Sequence, residues 1–328
     1  AGIFGAALAL TVPEIAEKLG GQVVFFATPA EEYGEIEFKN QLREQGKIRY
    51  GGGKCELIRT GAFDDIDLCL AHHIQPGDEI QVGSGTGNGF VSKVIRYLGK
   101  AAHAAGAPDK GVNALSAASL GLQALGLNRE TFRDEDCVRV HPIITKGGNL
   151  VNVIPDEIVI ETLVRAKTIE AFTDAAKKTD RSFQAGAVAM GAKVEITTLP
   201  GYLPTLAEQA LPELKRAAEL AAPEVPVREA AGHSGGSTDV GDVQHLMPVY
   251  TFNTGGVKGG LHQINFEVTN EEEAYIDTAK MFALAAYGLL KEKAARSKEL
   301  VKNYKPVFKD SAEYTKFMEQ FDSKEVLD

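Results

Sequence analysis

The order of hydrophobic periodicities between residues 88 and 200 constrains the fold most. Segments that alternate in hydrophobicity, as half-buried strands do, occupy residues 87–103, 137–148, 157–168 and 192–201. Two amphipathic helical segments, 111–127 and 169–191, separate the first pair of these strands and the last pair. The resulting βαββαβ order is the signature of a ferredoxin-like α+β unit. We therefore predict such a unit over residues 88–201.

The flanking segments have a different character. Two short, continuously apolar runs, "QVVFFATP" (22–29) and "DLCLAHHI" (67–74), read as buried strands with helical sequence between them. Beyond residue 201 a helical segment, a third apolar run at 247–256 and a long helical segment follow. We predict an α/β domain built from residues 1–87 and 202–328, with the ferredoxin-like unit as an insertion. The charged and aromatic tail, 303–328, is predicted to be a helical appendage.

Composition narrows the classes of partner. The 328 residues include 45 acidic and 35 basic side chains, a formal net charge of −10, which argues against binding to nucleic acid or an anionic membrane. No apolar run approaches the roughly 18–20 residues that span a bilayer. The three cysteines form no metal or disulfide pattern, which favours a reducing cytoplasm. We expect neither a nucleic acid nor a membrane among the partners.

Polar residues with metal-binding chemistry follow the predicted strands. Glu31 and Glu32 come after the first apolar run, His73 closes the second, and His262 follows the third. Carboxylate and imidazole are good ligands for Zn²⁺ and related ions, and ligands collect at the carboxyl ends of strands in such sheets. One of two adjacent glutamates can ligate a metal while the other acts as general base. Solvated loop glutamates with unrelated histidines remain the alternative, since this spacing is less specific than a compact motif.

Five motifs in fixed order carry a family resemblance. They are "FATPAEEYG", "GGGKCELIRTGAFDDIDLCLAHH", "GKAAHAAGAPDKGVNAL", "ITKGGNLVNVIPDEIVIETLVRAKT" and "GSTDVGDVQHLMP". Together they resemble the aminoacylase and glutamate-carboxypeptidase-like metallopeptidases of clan MH. The similarity is greatest to the branch of aminobenzoyl-glutamate hydrolases and auxin-conjugate amidohydrolases. The resemblance covers nearly all of residues 1–290. It implies a phosphorylase/hydrolase-like mixed-sheet catalytic domain with an inserted ferredoxin-like dimerisation domain.

The resemblance assigns roles within the catalytic part. It places the general base on Glu31 and metal ligands on Glu32, His73 and His262. It implies two divalent metal ions, Zn or Mn, in the complete enzyme. The family branch also carries a Cys-Gly-His segment that supplies further ligands, and this sequence lacks it. We therefore expect the sequence to be an N-terminally incomplete fragment, with a truncated paralogue of impaired metal binding as the alternative.

Further roles fall within the inserted unit. The resemblance implies that His103 reaches the active site of a neighbouring subunit, that Asn152 lies near the substrate and that Arg165 binds a substrate carboxylate. A homodimer through residues 88–201 is implied with them. His103 could instead cap the Ala-rich turn that follows it, and the other two could be structural. Asp239 and Asp242 could support the metal site or cap a helix.

These observations predict a metal-dependent amidohydrolase. It would cleave the amide bond of N-acyl amino acids, aminobenzoyl-glutamate-like compounds or dipeptides, small substrates with a free carboxylate. The alternative from another class is a non-catalytic homologue that serves as a dimerising or ligand-binding module. A nucleophilic Ser234 in "GHSGGS" is a weaker alternative, because no clear buried strand runs into that segment.

Overall fold

A computed structural model of the chain describes residue 6 and residues 9–327. Its strands are β1 (Cys69–Ile74), β2 (Ile80–Val82), β3 (Thr86–Gly87), β4 (Gly89–Leu98), β5 (Arg139–Val140), β6 (Ile143–Lys146), β7 (Glu157–Ala166), β8 (Lys193–Tyr202), β9 (Val227–Glu229), β10 (His233–Ser234), β11 (Val249–Thr254), β12 (Val257–Lys258), β13 (Glu267–Val268) and β14 (Ser323–Leu327). Its α-helices are α1 (Pro13–Ala16), α2 (Ile36–Glu44), α3 (Gly53–Arg59), α4 (Ala114–Asn128), α5 (Ile169–Met190), α6 (Pro212–Ala221), α7 (Val240–Gln244), α8 (Thr278–Asn303) and α9 (Ser311–Met318).

A mixed sheet carries the second and third predicted apolar strands. Its order is β1-β11-β2-β9, with β1 parallel to β11 and β2 antiparallel to β11. Helices α6 and α8 cover one face, where Phe252 of β11 is fully buried with Met281 and Phe282 of α8. The apolar run therefore forms a buried strand because both its backbone and its side chains find partners. Strand β1 ends at Ile74, directly after the two histidines, as the sequence predicted.

A second sheet contains the alternating segments. Its strands run β14-β8-β4-β7-β5, and β6 also pairs with β7. The first and third strands of the predicted unit, β4 and β7, lie at the centre and are antiparallel over ten residue pairs. Helices α4 and α5 cover one face and approach closely, since a Cβ at Gly186 would lie 2.2 Å from the Ala117 carbonyl oxygen. The connectivity of these elements is that of a βαββαβ unit.

The C-terminal segment is more than a helical appendage. After α9, strand β14 pairs antiparallel with β8 and becomes the edge of the second sheet. Tyr314 and Met318 of α9 are buried, and Asp322 accepts a hydrogen bond from Arg43 of α2 at 2.6 Å. The sequence concealed the strand because "SKEVL" is short and mostly exposed, so it carries no apolar alternation.

One strand prediction was wrong. Residues 22–29 form no strand, and Val23 and Val24 are 42% and 50% exposed. A strand needs a neighbour for its backbone N–H and C=O groups, and no strand within residues 9–327 pairs with this run. The long C-terminal helix is also interrupted, since the backbone from Lys291 to Ala294 leaves the helical region.

The N-terminal helix predicted over residues 1–20 falls partly outside the described residues. Within them, residues 6, 9 and 10 and α1 are helical. No helix in the described part of the chain is long and apolar enough to cross a membrane.

Candidate active site

The loop between the apolar run and α2 carries the two adjacent glutamates. Glu31 is half-buried, and its Oε1 accepts a hydrogen bond from the Thr238 hydroxyl at 2.7 Å. The Tyr202 hydroxyl donates to the backbone carbonyl of the same glutamate. Ala30, just before it, has a positive φ of 53°, which turns the chain sharply at this point. The loop is therefore held by contacts from β8 and from the residues that precede α7.

The glycine run that opens α3 makes this arrangement possible. The Gly53 N–H donates to the Ala30 carbonyl oxygen at 3.1 Å. A Cβ at Gly53 would lie 1.7 Å from the Pro29 carbonyl oxygen, so only glycine allows so close an approach. The next residue, Lys54, donates from both its backbone N–H and its Nζ to the buried carboxylate of Asp239. The glycine run thus packs the glutamate loop against the start of α3.

Glu32 and His262 come together from distant parts of the sequence. The Nε2 of His262 lies 3.7 Å from Oε1 of Glu32, and both side chains are 75% exposed. His262 lies in the connection between β12 and β13 and has a positive φ of 62°. The Glu32 backbone carbonyl accepts a hydrogen bond from Lys39 at 2.6 Å, which steadies the loop but leaves the carboxylate open. The pair presents a carboxylate and an imidazole, the donor types that divalent metals take from proteins.

The two histidines of β1 face opposite ways, because successive side chains of a strand alternate. His72 packs against Phe252 and Phe282, and its Nε2 is 2.8 Å from the Thr254 hydroxyl. Burial, followed by the neighbouring His73, lowers the pKa of His72 to about 4. His73 is exposed and lies opposite Asn253 in the register with β11. His72 is therefore committed to the core, and His73 is the histidine that remains open to a ligand.

The structure joins Glu32 to His262 and places His73 apart from them. Among the described residues, no group of three or more His, Cys, Asp and Glu side chains is arranged to hold a metal ion. The donor chemistry of the pair fits a divalent metal, but these residues by themselves do not accommodate the two ions that the sequence resemblance implies.

Arg165 lies at the same edge, at the end of β7. Its guanidinium carbon is 5.5 Å from the centroid of the Phe90 ring, and its Nη1 donates to the Ser237 hydroxyl at 3.3 Å. Burial lowers the pKa of Arg165, and the negative charge of Glu32 opposes that change. Arg165 and Glu32 therefore interact electrostatically. The guanidinium N–H groups that do not contact Ser237 can bind a carboxylate.

His103 and Asn152 lie elsewhere. His103 follows the end of β4, and its Nδ1 accepts hydrogen bonds from the backbone N–H groups of Ala105 at 3.2 Å and Gly106 at 2.9 Å. The imidazole therefore caps the Ala-rich turn, the alternative that the sequence left open. The Asn152 backbone carbonyl accepts from Ala104, so the two loops are neighbours. Both side chains are exposed.

These two loops lie far from Arg165 because of the antiparallel register. Phe90 is opposite Arg165, whereas Leu98 is opposite Glu157 at the other end of the strand pair. Eight residues of extended chain at ~3.4 Å each separate the two ends by about 27 Å. No hydrogen bond or ion pair in the described residues connects His103 or Asn152 to the glutamate loop.

Several site residues escaped the sequence reasoning. Thr238, Lys54 and Tyr202 contact the glutamate loop or its support, and nothing in their local sequence signals this.

Asp239 precedes α7 but makes no capping hydrogen bond with its side chain; it pairs with Lys54 at 2.6 Å instead. Asp242 is buried and accepts hydrogen bonds from the Tyr314 hydroxyl and the backbone of residue 203.

Ser234 lacks the surroundings of a nucleophile. Its hydroxyl accepts a hydrogen bond from the Gly236 N–H. The ring nitrogens of the adjacent His233 are hydrogen-bonded to the Thr86 hydroxyl and the Asn88 amide, at 2.9 and 3.1 Å. A nucleophilic serine needs a nearby base to take its proton, and His233 is already occupied.

The mixed α/β fold places a carboxylate and an imidazole, Glu32 and His262, beside the half-buried Glu31. The model of peptidase family M20/M25/M40 matches residues 1–287, so the chain belongs to that family. The family resemblance stated from the five motifs is therefore confirmed.

Relatives of this chain include two mammalian dipeptidases. The Xaa-Arg dipeptidases of Mus musculus and Homo sapiens are each 29% identical, over 78% and 92% of this chain respectively. The alignments cover 57% and 64% of those proteins, so the chain spans less than two thirds of their length. One of the subunits of p-aminobenzoyl-glutamate hydrolase from Escherichia coli is 31% identical over 42% of this chain and 27% of that protein.

Solved structures share the fold. An aminobenzoyl-glutamate utilization protein from Klebsiella pneumoniae has a TM-score of 0.61 at 20% identity, covering 88% of this chain and 66% of that one. A dinuclear metal-binding M20 peptidase from Bacillus subtilis has a TM-score of 0.56 at 22% identity, covering 88% and 70%. At these identities the likeness establishes the architecture of the chain.

Proposed function

We propose that the protein is a metal-dependent amidohydrolase that acts on small amides with a free carboxylate. The observation that carries this is that Glu31 and Arg165 are hydrogen-bonded to the adjacent residues Thr238 and Ser237, with the Glu32–His262 pair next to Glu31 in the chain. Membership of the M20 family supports it, as do relatives named for dipeptide and aminobenzoyl-glutamate hydrolysis. N-acyl amino acids, aminobenzoyl-glutamate-like compounds and dipeptides are the substrate class.

We assign metal binding to the Glu32–His262 pair, with Zn²⁺ or Mn²⁺ as the ion, and to His73, which lies apart from that pair in this chain. A divalent metal supplies a lowered pKa for a bound water when it is present. The remaining chemistry belongs to the chain. Glu31 accepts a proton from the attacking water as the water oxygen bonds to the amide carbon. It then returns that proton to the amine nitrogen as the C–N bond breaks.

Arg165 binds and orients the substrate. Its guanidinium has a fork of donors that matches a carboxylate, and the Ser237 hydroxyl accepts from one of them, Nη1. The guanidinium is planar by itself, and the Phe90 ring 5.5 Å away, together with partial burial, limits how far it can move. Because Arg165 makes contact away from the scissile bond, its loss should raise KM more than it lowers kcat.

We further propose a homodimer through the inserted unit, residues 88–201, in which His103 and Asn152 complete the site of the partner. The separation of about 27 Å along the strands supports this, since one chain does not bring them to its own Arg165. Nδ1 of His103 accepts hydrogen bonds from two backbone N–H groups, so it carries no proton itself. The ring N–H is then on Nε2, which can donate a hydrogen bond to a substrate carbonyl oxygen.

The edges of the second sheet point to the same interface. Strand β14 occupies the edge beside β8, whereas β6 at the opposite side is exposed along its length. Ile143 and Ile144 of β6 are 61% and 44% exposed. An apolar, open edge strand readily pairs with another chain.

We place the protein in a reducing cytoplasm, consistent with the three free cysteines.

The proposal is tested with Glu31→Gln. We expect kcat to fall by about 10²–10⁴-fold, the usual contribution of a general base, with bound metal unchanged by elemental mass spectrometry. The matched control is Glu35→Gln, which removes an exposed carboxylate four residues away. The panel contains N-acyl amino acids, p-aminobenzoyl-glutamate and dipeptides.

Near-normal turnover by the Glu31→Gln variant would contradict the role of Glu31. No turnover and no bound metal in the wild-type protein would favour the alternative, a dimerising or ligand-binding module.

A further inference from the structure

Three consecutive residues each hold a different part of the site. In the segment Ser237–Asp239, the Ser237 hydroxyl accepts from Arg165 at 3.3 Å and the Thr238 hydroxyl donates to Glu31 at 2.7 Å. The base and the carboxylate-binding residue of the proposed reaction are thus connected through two adjacent side chains. Glu31 and Thr238 are 207 residues apart in sequence, so only the fold brings them together.

The third residue anchors the segment. The Asp239 side chain is fully buried, and it accepts from Lys54 Nζ at 2.6 Å and from the Lys54 N–H at 2.9 Å. The preceding Gly53 donates to the Ala30 carbonyl, next to the general base. A closed ring of contacts therefore runs from the glutamate loop through the start of α3 to Asp239 and back. Such a ring resists displacement of any one member.

The hydroxyl of Thr238 is oriented by its other contact. The Val240 N–H donates to the Thr238 oxygen at 3.4 Å, so the hydroxyl hydrogen is directed to Oε1 of Glu31. A carboxylate held by one oxygen keeps its second oxygen for proton transfer in one orientation. Precise orientation of a base is worth far more to a rate than to binding, since misplacement raises the barrier of the chemical step.

We infer that Thr238 and Ser237 are positioning residues, Thr238 orienting Glu31 for proton transfer and Ser237 orienting Arg165 for the substrate carboxylate. This rests on the proposed function, which assigns those two roles. It adds a division of labour: Thr238 acts on the rate of the chemical step, and Ser237 acts on affinity. Neither residue needs to touch the reacting atoms.

The first test compares Thr238→Val with Thr238→Ser. Valine keeps the shape and removes the hydroxyl, so we expect kcat to fall about tenfold, with KM changing less than about twofold. Serine keeps the donor and should restore kcat to within about threefold of wild type. An unchanged kcat in the Thr238→Val variant, or an equal loss in both variants, would overturn the role of Thr238.

The second test uses Ser237→Ala. We expect KM to rise about fivefold for a substrate with a free carboxylate, with kcat unchanged, and no rise for the same substrate with that carboxylate converted to an amide. Ser234→Ala, three residues earlier at the end of β10, is the matched control and should change neither constant. A rise in KM for both substrates, or in neither, would overturn the role of Ser237.

A binding measurement separates this inference from the proposed function. Calorimetric titration with the product amino acid should show a Kd about fivefold higher for Ser237→Ala than for wild type. Equal affinities would contradict the role of Ser237 even without turnover. An inactive wild-type protein overturns the proposed function and the role of Thr238 in it. An active wild type whose Thr238→Val variant keeps full kcat overturns the positioning role alone.

Discussion

The second sheet and the loops of the candidate site hold their side chains by different means. Seven consecutive residues of β4 are buried, and α4 and α5 cover the sheet above them. By contrast, the Glu32 and His262 side chains are each 75% exposed, and they meet through a single contact of 3.7 Å. Packing fixes the sheet, whereas polar contacts place the site. Substitutions of these exposed site residues should therefore lower the free energy of unfolding less than substitutions in the packed sheet.

The segment Ser237–Asp239 stands between these extremes. It is a loop, yet Asp239 is fully buried in an ion pair with Lys54. A buried, hydrogen-bonded pair is expensive to break from one side, so it can hold a loop as firmly as packing does. The Asp239–Lys54 pair therefore limits the movement of Ser237 and Thr238, which contact the site.

The largest expected effect is in the packed region. Phe183 of α5 is fully buried against Tyr97 of β4, with ring centroids 6.4 Å apart. Phe183→Ala should lower the free energy of unfolding by about 3–5 kcal/mol, the loss typical of a large core side chain, measured by urea denaturation. Val188→Ala on the same helix removes a 62% exposed side chain and should cost less than about 0.5 kcal/mol. Equal losses would refute the assignment of the core.

A smaller effect concerns the buried carboxyl near the anchor. Burial raises the pKa of Asp242 to about 8, while the hydrogen bond from Tyr314 opposes the shift. The native state thus binds a proton that the unfolded chain, with an aspartate pKa of about 3.9, releases earlier. Stability from this group is present below pH ~4 and is lost as pH rises to ~8, at up to about 1.4 kcal/mol per unit.

Asp242→Asn should flatten that slope, measured as free energies of unfolding at pH 5 and pH 8. The exposed Asp109→Asn is the control for loss of one negative charge. An unchanged slope in Asp242→Asn would mean that the carboxyl is ionised throughout this range.

The smallest expected effect is at the site loop. His262→Ala removes an exposed side chain with one long contact, so the free energy of unfolding in chelator should change by less than about 0.5 kcal/mol. Metal affinity should fall if the pair binds an ion as proposed. A loss of stability above about 1 kcal/mol without metal would show that packing, not ligand binding, is the role of His262.

Hydrophobic periodicity was enough to predict most elements of the second sheet. Alternation and helical periodicity predicted β4, α4, β7, α5 and β8. Each of these elements buries one face, so its apolar residues recur every 2 residues in a strand and every 3.6 in a helix. The five motifs predicted the family, and the polar residues after the strands predicted the site candidates. Residues 22–29 show the limit of this approach, since an apolar run becomes a strand only where a partner strand is present.

The sequence by itself determined the family, the βαββαβ order and the residue types available for chemistry. Only the tertiary structure decided that His72 enters the core while His73 stays open, that β14 joins β8, and that Thr238 reaches Glu31. These depend on contacts between residues far apart in the chain, with Thr238 and Glu31 separated by 207 positions. A hydroxyl, an ammonium group or an edge strand has no periodicity of its own, so its partner is known only once the chain has folded.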